Sequence, residues 1–106
     1  MDKEIQRRKD AFKLALEIFN EVKGHRYNLP IENYLETGKK CEFDHIYTKI
    51  LIDTLCENNI IRHSGTRSVR FTVDGYKLMQ DILEDPENPP CYFPSVADVV
   101  WDNDGR

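Results

Sequence analysis

The chain has 106 residues, a length that suits one compact domain with a single hydrophobic core. Hydrophobic residues make up 40% of it, which favours a folded domain, and no apolar run approaches the roughly 20 residues that cross a bilayer. The net charge of −4 argues weakly against a general nucleic-acid binder, and it equals the charge of residues 85–106, which hold five acids and one arginine.

The first ten residues are charged throughout and lack the apolar centre of a secretory signal, so we expect a cytoplasmic protein. The three cysteines, Cys41, Cys56 and Cys91, are widely spaced and odd in number, which argues against a disulfide framework.

Two helices are predicted in the first 40 residues. The first spans 3–23, and Gly24 suits its C-terminal cap. Pro30 suits the first turn of a second, short helix over 31–36, which should stop near Gly38. The apolar stripe of the first helix consists of Ile5, Phe12, Leu16 and Phe19, widened by Ala15, Ile18 and Val22.

A third helix is predicted over 44–59, with Asp44 as its N-cap. Successive residues rotate by about 100° around a helix, which sorts its positions into two faces. The face that we assign to the core holds Thr48, Leu51, Ile52 and Leu55, and the opposite face holds Ile46, Ile50, Asp53 and Glu57.

A basic hairpin and a fourth helix follow. Ile60 and Ile61 begin a short strand, residues 62–70 form a turn without acids, and a second strand follows from Phe71. Gly65 is expected to allow a tight turn, and we expect the hairpin to project freely from the helices. The fourth helix should be capped by Thr72 or Asp74 and end before Asp85, and a final short helix is predicted over 96–101.

Three features carry a family resemblance. The helix end Leu55-Cys-Glu-Asn-Asn-Ile-Ile61 is similar to a Leu-x-x-x-Gly-Leu-Ile pattern, with Asn59 in the place of glycine. The basic hairpin between Arg62 and Arg70 comes next, and Phe71-Thr-Val-Asp-Gly75 is similar to Leu-Thr-x-x-Gly. In this order they resemble the winged-helix superfamily, as found in bacterial regulators.

The resemblance covers about residues 5–84 and implies an α+β, mostly helical fold with three helices, a two-stranded β-wing and a C-terminal helix. A domain over 1–84 would then be followed by a Pro-rich, acidic and aromatic tail over 85–106. Asn59 tolerates a left-handed backbone better than most residues, so we expect it to replace the glycine.

One function implied by the resemblance is a small DNA-binding transcriptional regulator, in which the third helix enters the major groove. The candidate DNA contacts are Arg62, His63, Arg67 and Arg70 in the hairpin, Lys39 and Lys40 before the third helix, and His45 and Lys49 on it. The outer face of that helix departs from the pattern, because DNA readers place polar or basic side chains there rather than isoleucines and carboxylates.

The alternative is a winged-helix protein-interaction module that does not bind DNA, such as an adaptor or an inhibitor from a phage or mobile element. Its interface would consist of Ile46 and Ile50 with Tyr92, Phe93 and Trp101 of the tail. The competing structural explanation is that the first helix or the tail covers the two isoleucines as ordinary core. A homodimer through the first helix and the tail is a further possibility.

Nothing in the sequence predicts catalysis, a cofactor or a metal. Cys41 and His45 form one loose pair four residues apart, whereas a zinc site usually needs two closely spaced pairs. The sequence also contains no Gly-rich phosphate-binding motif and no recognisable motif of a nucleophile with its base. We therefore expect a protein that is not an enzyme.

Overall fold

The structure, a computed structural model, describes residues 3–23 and 30–84. Over these residues the fold is α+β and mostly helical, with four helices and one two-stranded antiparallel sheet. Within this part of the chain, no helix is both long and apolar enough to cross a membrane. The elements are α1 (Lys3–Val22), α2 (Tyr34–Lys40), α3 (His45–Glu57), β1 (Ile61–His63), β2 (Val69–Phe71) and α4 (Val73–Glu84).

Helix α1 supplies the largest share of the core, as its apolar stripe predicts. Phe12, Ile18 and Phe19 are buried, and Leu16 packs at the edge of the core. The ring of Phe19 meets the Phe71 ring edge-on at 6.1 Å and the Tyr76 ring at 5.1 Å. These aromatic contacts join β2 and α4 to α1. The side chain of Ile5 and the Gly24 cap lie outside the described residues, as do the tail and its predicted helix.

The second helix differs from its prediction at both ends. Asn33, not Pro30, begins it, because the Asn33 side chain accepts a hydrogen bond from the Leu35 N–H at 3.1 Å. The helix also continues through Gly38 to Lys40. A Cβ at Gly38 would collide with the side chain of Thr48, so this glycine permits the close approach of α2 to α3 rather than ending the helix.

The turn from α2 into α3 contains a left-handed residue that the sequence did not reveal. Glu42 has φ 65°, and the N–H groups of Glu42 and Phe43 donate to the carbonyls of Lys39 and Gly38 at 2.9 Å each. This is the Schellman pattern of helix termination, in which the left-handed position is usually glycine.

Helix α3 confirms the predicted cap and core face. The Asp44 side chain accepts from the Tyr47 N–H at 2.7 Å, and Asn59 adopts the expected left-handed conformation at φ 59°. The helix ends at Glu57, slightly before the predicted end. All four residues assigned to the core, Thr48, Leu51, Ile52 and Leu55, are buried.

The hairpin pairs Ile61 with Phe71, Arg62 with Arg70 and His63 with Val69. Ile61, Val69 and Phe71 are buried, so this side of the hairpin faces the core. Ile31, predicted to be helical, instead forms an antiparallel bridge to Val69, with Ile31 N–H donating to Val69 O at 2.9 Å. A single extended residue before α2 therefore borders the sheet.

Helix α4 begins where the chain passes Ile60, the residue before β1, at close range. Of the two predicted caps, Thr72 is the one used: its hydroxyl accepts from the Gly75 N–H at 2.8 Å and lies 2.7 Å from the Asn59 carbonyl oxygen. A Cβ added at Gly75 would overlap the backbone carbonyl of Ile60. The position therefore requires glycine for steric reasons.

We expect Gly75→Ala to destabilise the fold by about 3 kcal/mol, because the new methyl group would displace the backbone at Ile60. Helix propensity alone predicts the opposite sign, a gain of roughly 1 kcal/mol. Urea unfolding followed by circular dichroism measures the difference. Gly65→Ala is the control, since Gly65 is not left-handed and its added Cβ would meet only Ser68 Cβ at 3.2 Å. Equal stability of the two variants would contradict the close approach.

Candidate binding surfaces

The outward side of α3 is an exposed surface of mixed character. We call Ile46, Ile50, Asp53 and Glu57 the α3 outer face. Ile46 is 75% exposed and Ile50 is 40% exposed, so the explanation that the first helix covers them as ordinary core is wrong. The other predicted cover, the tail, lies outside the described residues. Asp53 and Glu57 are exposed as well. Large apolar side chains held in water beside charges are typical of an interaction surface.

Charge along α3 is ordered from basic to acidic. His45 and Lys49 lie in its N-terminal half, and Asp53 and Glu57 lie in its C-terminal half. The first turn has no acidic residue and the last turn no basic one. This order opposes the helix dipole, which favours acids at the N-terminus and bases at the C-terminus. The charges at the two ends of α3 are therefore unfavourably placed with respect to its dipole.

The anchor that orients α3 is a contact that the sequence did not predict. The Tyr47 hydroxyl donates a hydrogen bond to the Asp10 carboxylate of α1, and Gln6 donates to the same carboxylate at 3.1 Å. Burial, followed by the bond to Asp10, raises the pKa of Tyr47, which keeps its hydroxyl protonated as the donor. No local sequence pattern indicated this contact, because Asp10 lies about 160° around the helix from Phe12, outside the apolar stripe of α1.

The hairpin carries the second exposed surface. Arg62, His63 and Arg67 are exposed, whereas Arg70 is half-buried. Arg62 and Arg70 lie directly opposite each other in the strand register, so their side chains share the outward side. The Nε atom of Arg70 is buried without a hydrogen-bond partner in the described part of the molecule. The Arg70 guanidinium thus lies beside the positive charge of Arg62, and its Nε–H donor makes no hydrogen bond.

The hairpin does not project freely, contrary to expectation. The Tyr34 N–H donates to the Arg67 carbonyl at 2.9 Å, and the Ser68 hydroxyl donates to the Ile31 carbonyl at 2.8 Å. The His63 ring also meets the Tyr34 ring edge-on at 6.3 Å. These contacts pin the β2 side of the hairpin to the start of α2, so the orientation of its basic residues is fixed.

The other predicted nucleic-acid contacts are distributed over two helices. Lys39 and Lys40 occupy the last turn of α2 rather than the connecting turn, and Lys40 forms an ion pair with Glu21 of α1 at 3.7 Å. His45 and Lys49 are exposed on α3, one turn apart. The hairpin therefore holds four of the eight candidates, Arg62, His63, Arg67 and Arg70, within nine residues of sequence.

Cys41 and Cys56, the two cysteines in the described part of the chain, do not form a reactive site. Burial, with a smaller contribution from Glu17, raises the pKa of Cys41 to about 11. Burial also raises the pKa of Cys56, helped by Asp53 and Glu57. Both thiols are consequently protonated at neutral pH and are poor nucleophiles. Over residues 3–23 and 30–84, no group of three His, Cys, Asp or Glu side chains is placed to hold a metal ion.

The remaining predicted interface residues, Tyr92, Phe93 and Trp101, lie outside the described residues. The chain matches no protein-family model, no curated protein sequence and no solved structure. A function must therefore be inferred from the α3 outer face and the hairpin.

Arg70→Met should stabilise the protein by about 1 kcal/mol, because it removes a buried donor that has no partner. Thermal or urea unfolding measures this change. Arg62→Met is the matched control, because it relieves the same repulsion between the two arginines but removes an exposed side chain. It should change the free energy of unfolding by no more than about 0.5 kcal/mol. A loss of stability in Arg70→Met would show that the guanidinium is favourably placed.

Proposed function

We propose that the chain is a non-enzymatic protein-interaction module of winged-helix type, and that its α3 outer face binds protein. The observation that carries the proposal is the 75% exposure of Ile46 next to the 40% exposure of Ile50 on one side of a well-anchored helix. Burying such a side chain at an interface is worth roughly 1.5–3 kcal/mol.

The winged-helix assignment is supported by the order of the elements. Helices α1, α2 and α3 precede the hairpin of β1 and β2, and α4 follows it. The bridge from Ile31 to Val69 adds an extended residue between α1 and α2 to the edge of β2. In this arrangement α3 is the helix that DNA-binding members place in the major groove.

Phosphate repulsion argues against such a role for α3 in this chain. Asp53 and Glu57 are exposed on the side that would enter the groove, where carboxylates meet the phosphate backbone at a cost. The two isoleucines offer base edges only apolar contact. A protein surface instead accepts both components, by burying the isoleucines and pairing the carboxylates at the rim.

A second candidate function is nucleic-acid binding through the hairpin. Arg62, His63 and Arg67 are all exposed, and no acid occurs between residues 59 and 73. Their fixed orientation beside the start of α2 supports contact with phosphates, as in a transcriptional regulator that grips DNA by its wing. In that case α3 would lie beside the duplex rather than in its groove.

The first proposal is tested by photo-crosslinking in cells that produce the protein. A benzophenone amino acid replaces Ile46, and the same group replaces Val73 of α4, which is 59% exposed and serves as the control. We expect a discrete protein adduct from position 46 that is absent from position 73, because an interface holds its partner against one face. Mass spectrometry identifies the adduct.

Substitution of Ile50 by Asp in the same crosslinking chain should abolish that adduct while leaving the circular dichroism spectrum unchanged, since Ile50 faces solvent. If position 46 yields no protein adduct, or yields one that the substitution does not affect, the α3 outer face does not bind protein.

The second candidate predicts a mobility shift of duplex DNA at about 50 mM salt that weakens steeply as salt is added. Arg67→Ala should lower the affinity and reduce the slope of log K against log salt by about 0.9, the loss of one phosphate contact. Lys77→Ala, which removes the same charge from an exposed position on α4, should change neither. The absence of any shift at low salt, or equal effects of the two variants, would exclude specific use of the hairpin.

A further inference from the structure

We infer that the protein bound by the α3 outer face is a second copy of this chain, and that the two α3 helices pair side by side in antiparallel orientation. The inference rests on the proposed function and names its partner. Two observations carry it: the exposed isoleucines, and the charge order along α3, which is complementary to its own reverse.

Charge complementarity appears when α3 is laid against a reversed copy centred on Leu51. Each residue advances about 1.5 Å along a helix. In this antiparallel pair, a residue that lies a given number of positions before Leu51 is therefore level with the residue the same number of positions after Leu51 in the second copy. Lys49 then lies level with Asp53 of the second copy, and the reverse pair follows by symmetry. One contact thus forms two opposite-charge pairs, both on the same side of the isoleucines.

The ends of the helix also match in this register. Glu57 lies level with His45 of the second copy, at the helix N-terminus, where the dipole favours a negative charge. Asp44, the N-cap, lies level with the uncharged Asn58. The order from basic to acidic, which is unfavourable within a single α3, becomes favourable between two antiparallel copies.

Apolar side chains occupy the centre of the contact. Ile50 of each copy lies about 3 Å along the axis from its symmetry mate, close enough for the two side chains to meet. Ile46 lies level with the half-buried Cys56 of the second copy. The two Ile50 side chains therefore leave water at the centre of the contact, and the two opposite-charge pairs lie along one side of them.

A parallel pairing is disfavoured by the same residues. In the same register, a parallel pair would place Lys49 beside Lys49, Asp53 beside Asp53 and Glu57 beside Glu57. Like charges would then repel each other at each of these three positions. The orientation of the pair is consequently determined by charge rather than by the isoleucines alone.

The size of the contact sets the expected affinity. Helix α3 has 13 residues, which makes it about 20 Å long, so the contact is smaller than the standard interface of about 800 Å² per partner. We expect a weak, reversible dimer with a dissociation constant on the order of 10–100 µM. Such a dimer is detected by sedimentation velocity over a range of concentrations.

Charge exchange tests the pairing. Lys49→Asp and Asp53→Lys should each be monomeric at the concentration where the wild type is dimeric, because each homodimer would contain two repulsive pairs. An equimolar mixture of the two variants should form a heterodimer, and the chain with both substitutions should dimerise like the wild type. Lys77→Asp controls for net charge, since Lys77 is exposed on α4. All four variants should keep the circular dichroism spectrum of the wild type, because the three substituted positions are exposed.

Rescue by mixing supports the inference, because only reciprocal contact of positions 49 and 53 produces it. A wild-type chain that stays monomeric at about 500 µM overturns it. A dimer whose dissociation constant changes less than about tenfold in the single variants also overturns it, since the contact then lies elsewhere. The crosslink at position 46 distinguishes the two proposals. An adduct with a different protein would contradict only the inference that the partner is a second copy. The absence of any protein adduct would contradict both proposals.

Discussion

The inward face of α3 is the constraint on which the rest of the molecule depends. Thr48, Leu51, Ile52 and Leu55 are buried, and α3 contacts α1, α2 and β1. The opposite face, with Ile46 and Ile50, is exposed. The hydrogen bond from Tyr47 to Asp10 and the close approach of Gly38 to Thr48 then prevent the helix from rotating. The buried face and these two contacts therefore fix the direction in which the isoleucines point.

The two candidate surfaces differ in how they are held. The α3 outer face belongs to a regular helix whose N-terminus is capped by Asp44 and anchored to α1. The hairpin is short, and hydrogen bonds to Ile31 and Tyr34 fix its β2 side. Rigid elements present binding groups with less loss of entropy on association. Both surfaces meet this condition, although only α3 combines apolar exposure with ordered charge.

Sequence periodicity predicted the parts of the fold that depend on local patterns. The helix over 3–23, the Asp44 cap, the core face of α3 and the left-handed Asn59 were all accessible because each rests on spacing or on a backbone preference. The α3 outer face was identified by the same rotation argument. Its exposure was not predictable, since a single sequence does not say which neighbour covers a given side chain.

The failures concern contacts between distant segments. Pro30 and Gly38 are good local signals for a helix start and end, yet Asn33 supplies a stronger cap and Gly38 serves the packing of α2 on α3. The bridge from Ile31 to Val69 joins residues 38 positions apart in the chain, beyond any local pattern. Tertiary context outweighed propensity at each of these positions.

The bridge at Ile31 also bears on solubility. A sheet edge with unpaired backbone groups invites strands from other molecules, and proteins protect such edges by covering or charging them. In the described part of the chain, Ile31 shields the outer edge of β2, and the remaining edge belongs to β1, whose three residues include the exposed Arg62. A strand this brief and this charged is a poor template for fibre-like association, even while an apolar helix face stays open to water.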